Sequence, residues 1–222
     1  MRLTEPVRPD LLAIASLIPA HASVLDLGCG EGDLLLLLAD RGVRGRGVEL
    51  SEVGVRQCVK RGLSVLQGDV DEGLADYPDG SFDYVVLSQT LPYLDQPRFV
   101  LKEMLRVGQR AIVSFANPGH WRCRMWTLLA GRTPEGLLVG QPWHASPRLH
   151  LPTPNDFRAL CLDDEVEIVD ALGLGESGQR VSVWKNLLAW TVIFEVTAGE
   201  NRRTVDECEA AGDVAASRRE ER

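Results

Sequence analysis

The sequence predicts an α/β protein built on a mostly parallel sheet covered by helices. Three observations lead there. Short apolar runs alternate with helix-type runs through most of the chain, which is the pattern of parallel strands joined by helical crossovers. One of these runs, VLDLGCGEG at 24–32, passes from an apolar strand straight into three glycines, Gly28, Gly30 and Gly32, and then into a helix. Finally, the acids Asp26, Glu49 and Asp69 stand at or just past the ends of three successive strand candidates, at the carboxyl edge where open α/β sheets bind their ligands.

Strands are expected at 23–27, 45–49, 64–68, 83–88 and 110–115, each short and apolar, as a strand buried on both faces must be. The helix expected at 33–40 carries a run of consecutive leucines, reads as buried on most sides, and stops at Gly42. Ser51 is placed to cap a helix that stops at Gly62, and Asp95 with Pro97 opens another that stops at Gly108. Residues 117–151 are less regular. One helix is expected over Trp121–Ala130, then a loop rich in Pro and Gly, long for a compact domain and so read as a lid or interface segment. Thr153 caps a later helix, with Pro154 in its first turn and Asp156 three residues beyond the cap. Strands at 166–171 and 187–196 follow, the second within the dense run LLAWTVIFEV, and are expected to form an antiparallel hairpin closing one edge of the sheet. Residues 1–199 make one domain in this reading. Residues 200–222, with near-balanced charge and no aromatic residue, are expected to be a disordered tail.

The bulk properties narrow the function. With 222 residues, 45% hydrophobic and 25% charged, the chain has an ordinary globular composition and is long enough to bury its own core. The net charge of −8 argues against nucleic-acid binding, which draws its affinity from Lys and Arg on phosphates, and favours a cationic small molecule. Cys29, Cys58, Cys123, Cys161 and Cys208 are scattered without a C-x-x-C pair, so reduced thiols, a cytoplasmic location and no metal site are expected. The first dozen residues do not read as a signal peptide, and no apolar run is long enough to span a bilayer.

The strand, glycine turn and helix at 24–40 make a site for a nucleotide-like ligand. The dinucleotide fingerprint places its third glycine at 33, whereas here it comes at 32 and Asp33 follows, which argues against NAD. Asp26 is costly near the end of an apolar strand unless something pairs with it, either a ligand or the loop amides. Glu49 is set to accept both hydroxyls of a ribose, or else to cap the helix beside Ser51. Asp69 is set to hold an adenine amino group, or else to form the turn after Gly68.

VLDLGCGEG, GVELS, GDV and FDYVVLSQTL, in that order, resemble the motifs of class I S-adenosylmethionine-dependent methyltransferases. The resemblance implies a Rossmann-like, seven-stranded, mostly parallel sheet with an antiparallel last strand. It also implies that Gly28, Gly30 and Gly32 approach the amino-acid part of S-adenosylmethionine, Glu49 its ribose and Asp69 its adenine; Asp26 and Ser88 are expected in the same cofactor site. A closer resemblance covers residues 8–196. The stretches 61–91 and 103–121 and the final HL of PWHASPRLHL look like the methionine biosynthesis protein MetW family, which has the methyltransferase fold and is associated with the acyltransferase that activates homoserine. Within that last stretch Trp143, Pro147, His150 and Leu151 fit the family pattern, while His144, Ala145 and Arg148 depart from it.

No general base for methyl transfer is obvious. SQTLPYL, 88–94, lacks the Asn or Asp that opens the N/D-P-P-Y motif of amino-group methyltransferases. His120 and His150 are open to a role as base, as partner contact or in packing, and with His144 they lack the spacing of a zinc site. Trp121, Trp126 and Trp143 line a pocket or interface, or pack beneath the long loop. Two functions follow: an S-adenosylmethionine-binding protein of methionine biosynthesis that acts with or regulates homoserine O-acyltransferase, and a small-molecule methyltransferase using the same pocket.

Overall fold

A computed structural model describes residues 7–134, 138 and 149–199. The expected tail at 200–222, Cys208 and much of the expected lid, with Trp143 and His144, lie outside the described residues. Among the described residues eight strands form one sheet: β1 (Ser23–Leu27), β2 (Arg44–Glu49), β3 (Val65–Gln67), β4 (Phe82–Ser88), β5 (Gly108–Ala116), β6 (Val166–Leu174), β7 (Arg180–Val181) and β8 (Thr191–Ala198). Their order is β3-β2-β1-β4-β5-β8-β6-β7, with β1 to β5 mutually parallel and β8 antiparallel to both neighbours. This is the expected mostly parallel sheet with an antiparallel last strand, extended by the two-residue edge strand β7.

Two expectations at the far end of the chain need correction. The pair β6 and β8 is antiparallel, but it does not simply close an edge, because β8 inserts between β5 and β6 and the edge falls to β7. The apolar density of β8 is the physical reason: all its residues but the two ends are buried, which only a strand covered on both faces requires. The start expected at 187 belongs instead to the short helix Lys185–Leu188.

Helices cover both faces: α1 (Pro9–Leu17), α2 (Asp33–Ala39), α3 (Glu52–Lys60), α4 (Pro97–Val107), α5 (Trp121–Ala130), α6 (Pro154–Asp163) and α7 (Lys185–Leu188). Two core layers result. Leu25, Leu27, Val85, Leu87, Met104, Phe115, Phe157 and Phe194 pack on one face, and Ile14, Ile18, Val24, Leu34, Leu38, Val86 and Ile193 on the other. The rings of Phe157 and Phe194 meet at 4.7 Å and those of Phe115 and Phe157 at 5.6 Å. Because side chains alternate along a strand, Asp26 shares the face of Val24, the one covered by α1 and α2.

Capping side chains explain the starts of α3, α5 and α6. Ser51 accepts from the Gly54 amide, and Thr153 with Asp156 forms a reciprocal capping box on α6. Helix α4 differs from expectation: Gln96 is its N-cap and makes no side-chain cap, while the Asp71 carboxylate accepts from the amides of Asp95 and Gln96, both at 2.9 Å. The acceptor comes from another element, which adjacency in sequence does not reveal. Helix α1 escaped the sequence reading because it is short, apolar over much of its length, and begins after Arg8 without a side-chain cap.

Candidate functional site

The parallel register brings the carboxyl ends of β1 to β4 to one edge. Asp26 lies opposite Gly47 and Val86, and Glu49 opposite Gln67. From β1 the chain turns over the end of β2, the amides of Gly28 and Cys29 both donating to the Val48 carbonyl at 2.8 and 3.2 Å. Gly28, Gly30 and Gly32 all have left-handed backbone, with φ of 67°, 56° and 83°. Beyond that shared reason they differ. A side chain at Gly28 would strike Thr90, one at Gly32 would strike Leu63 and Cys58, and one at Gly30 would meet only open space.

Above this edge lies a cavity of about 480 Å³ whose wall includes Arg8, Gly28, Glu49, Asp69, Ser88, Tyr93 and His150. A smaller hollow of about 130 Å³, sharing Arg8, Gly28 and Ser88 with it, is walled also by Asp26 and Gly30. The structure thus brings together every predicted site residue except Gly32, which lines neither space and serves the packing of α2 against Leu63 and Cys58.

The carboxylates have different surroundings. Asp26 is only 2% exposed and its carboxyl makes no hydrogen bond among the described residues, so it does not tie down the loop amides. Burial pushes its pKa up to about 7, against the pull of Arg8 and with a smaller push from Glu49. Glu49 accepts from the Gly30 amide at 2.7 Å and the Ser51 amide at 2.8 Å, joining the glycine turn to the start of α3. The Asp69 carboxylate accepts from the Asp71 amide at 2.9 Å, which forms the turn after Gly68, while the residue also lines the cavity.

Ser88 belongs to a network that sequence reasoning missed. Its Oγ accepts from Arg8 Nη2 at 2.7 Å and donates to Asp10 Oδ2 at 3.2 Å, and Arg8 holds Asp10 through Nε and Nη2 at 3.1 and 2.8 Å. Arg8 and Asp10 reach the site only because α1 packs on the sheet, and no spacing within RPDLL signals it. Gln89, with φ of 58°, and Thr90 complete the rim after β4.

The two described histidines near the site separate clearly. His120 is buried and N-caps α5, its Nδ1 accepting from the Arg122 amide at 3.3 Å, its ring edge-on to Trp190 at 5.2 Å, and its pKa held below the usual value by burial. His150 lines the cavity, its amide donating to the Pro92 carbonyl at 2.7 Å. Among the described residues no three His, Cys, Asp or Glu side chains are grouped to hold a metal ion, and no helix is long and apolar enough to cross a membrane.

An open, mostly parallel sheet with an inserted antiparallel last strand, and acids from successive strands around a glycine turn, define the class I methyltransferase fold. Solved structures agree: a SAM-dependent methyltransferase from Thermotoga maritima, described as a possible histamine N-methyltransferase, superposes with a TM-score of 0.64 at 19% identity over 85% of this chain and 87% of its own. Magnesium protoporphyrin IX methyltransferase from Synechocystis, solved with bound SAH, gives 0.60 at 18% identity over 86% and 82%. Within that fold the chain belongs to the methionine biosynthesis protein MetW family, which matches residues 8–196. The bifunctional methionine biosynthesis protein MetXA/MetW of Rhodopirellula baltica is 37% identical over 175 residues, covering 71% of this chain and 28% of that protein. A ubiquinone biosynthesis O-methyltransferase of Methylococcus capsulatus is 32% identical over 102 residues, 41% of this chain and 43% of its own length. The chain therefore spans less than half the length of these two curated relatives.

Proposed function

We propose that the chain binds S-adenosylmethionine in the cavity above β1 to β4 and acts with a homoserine O-acyltransferase, cofactor occupancy reporting the state of methionine synthesis to that enzyme. The observation that carries the binding reading is Asp26, a buried carboxyl that makes no hydrogen bond to a described residue, beside the bare backbone of Gly30. A cationic group of the ligand near it supplies the counter-charge that burial otherwise withholds. Glu49 and Asp69, at the ends of the next two strands, each carry acceptor capacity toward the ribose and adenine beyond the amide bonds they already accept. Arg8, paired with Asp10, is the cation among the described residues of the wall and is suited to the carboxylate of the amino-acid part. S-adenosylmethionine brings an electrophilic methyl group, and these residues orient it. The acyltransferase partner is suggested by the relative whose name joins MetXA to MetW in one polypeptide.

His150 favours a second reading. It stands in the cavity wall near Tyr93, where a small acceptor would lie, and so offers the base that the sequence lacked for methyl transfer. One set of tubes separates the readings. Calorimetry measures uptake of S-adenosylmethionine, acylation of homoserine is followed with and without the chain, and S-adenosylhomocysteine is measured beside it. Binding with a changed acylation rate and no S-adenosylhomocysteine supports the first reading. Turnover with an unchanged acylation rate supports the second, and no binding rejects both.

A further inference from the structure

We infer that the solvent face of α5 is the surface on which the acyltransferase docks; this rests on the association proposed above. Helix α5 leaves large apolar side chains in solvent, Trp126 among them. Trp121, Met125 and Leu128 recur at the i, i+4, i+7 spacing of one helix face, with Leu129 beside them, and they are 48%, 41%, 76% and 77% exposed. Cys123, two residues on from Trp121 and about 200° round the helix, is the one buried residue. A helix normally turns such a stripe inward, and a contiguous apolar face left in water marks an interaction surface. Its composition, Trp and Met with arginines around them, is that of the centre of a protein interface.

The rim selects among occupants. Arg122, Arg124 and Arg132 fall within eleven residues at this helix, in a chain whose net charge is −8; Arg122 is paired with Glu176 and Arg124 donates to the Gly119 carbonyl. Two copies paired through α5 about a two-fold axis would bring Arg124 and Arg132 of one copy near those of the other, with Arg122 already offset by Glu176, at a cost that rises as the contact dries. A different protein with an apolar centre and a carboxylate rim suits the face, and the relative that joins MetXA to MetW suggests the class of partner. The helix is also tied at both ends to the ligand cavity. Ala116, five residues before it, and Leu138, eight residues after it, both line that cavity. A partner that responds to the contents of the cavity would bear there.

The test is calorimetry and sedimentation of the full chain with the homoserine O-acyltransferase encoded in the same genome, comparing the wild type, Leu128→Asp with Leu129→Asp, and Arg132→Glu. The inference expects the wild type to bind. It expects the double variant to bind at least about tenfold more weakly, with unchanged melting temperature and unchanged uptake of S-adenosylmethionine. It expects Arg132→Glu to bind more weakly at low salt than at high salt relative to wild type. A double variant that binds like the wild type overturns the α5 assignment and leaves the association standing. A wild type that does not bind the enzyme removes the association, and the assignment with it. Self-association, or binding to phosphatidylglycerol vesicles, that the double variant abolishes overturns the assignment by giving the face another occupant.

Discussion

Replacing Asp26 by Asn should make the free protein more stable and its ligand site weaker. The carboxyl has a pKa of about 7 in the fold, against 3.8 for the ordinary side chain. Below the ordinary value it is protonated in both folded and unfolded chains and pH has no effect. Between about 4 and 7 the unfolded chain has lost the proton while the folded chain keeps it, so stability falls by about 1.4 kcal/mol per pH unit. Above 7 the group is ionised in both states, and the full cost, on the order of 4 kcal/mol, is present. Asn keeps the shape and removes the titration. At pH 8 the variant should therefore melt higher than the wild type, by about 2–4 °C for each kcal/mol recovered in a chain of this size, and at pH 4 the two should nearly coincide. The assay is the difference in melting temperature between the two proteins from pH 4 to 8 without ligand, which cancels the other carboxylates. Calorimetry at pH 8 supplies the opposite sign, because loss of a charge-assisted contact should weaken S-adenosylmethionine by about 10- to 100-fold. A difference that stays flat with pH, or an Asn variant less stable than the wild type at pH 8, would refute the reasoning.

Other substitutions discriminate packing from ligand contact. Gly30→Ala meets nothing in the fold but must adopt left-handed backbone, so it should cost about 1 kcal/mol of stability while sharply reducing ligand uptake. Gly28→Ala adds a clash, its Cβ lying 2.5 Å from Thr90 Oγ1, and should lower both melting temperature and uptake. Asp71→Ala removes the acceptor of two amides at the start of α4 and should cost about 1–2 kcal/mol in denaturant unfolding. Phe157→Ala opens a hole between Phe115 and Phe194 and should cost about 3–5 kcal/mol, read in the same way.

The glycine turn shows how far local sequence carries. VLDLGCGEG predicted a close approach to backbone, and at Gly30 the space is open as that reading requires. At Gly32 the same residue type answers to Leu63 and Cys58, and nothing within the motif distinguishes the two. Glu49 and Asp69 each admit two roles by sequence, and both make the amide bonds of the plainer role while bordering the cavity. His120 and His150 looked alike in sequence. Only burial separates the capping residue from the one in the cavity wall.

The primary sequence by itself determined what is local or periodic: the alternation of strands and helices, the turn after β1, the capping box of α6, and acids at strand ends, since each depends on residues within one or two turns of each other. The tertiary structure alone decided what depends on distance along the chain. It inserted β8 between β5 and β6, carried Arg8 and Asp10 to Ser88, sent Asp71 to cap α4, and turned the apolar stripe of α5 outward. The reason is physical: a hydrogen bond or a buried face is satisfied by whatever the packing brings near, and packing is set by the whole sheet, not by the segment that needs it.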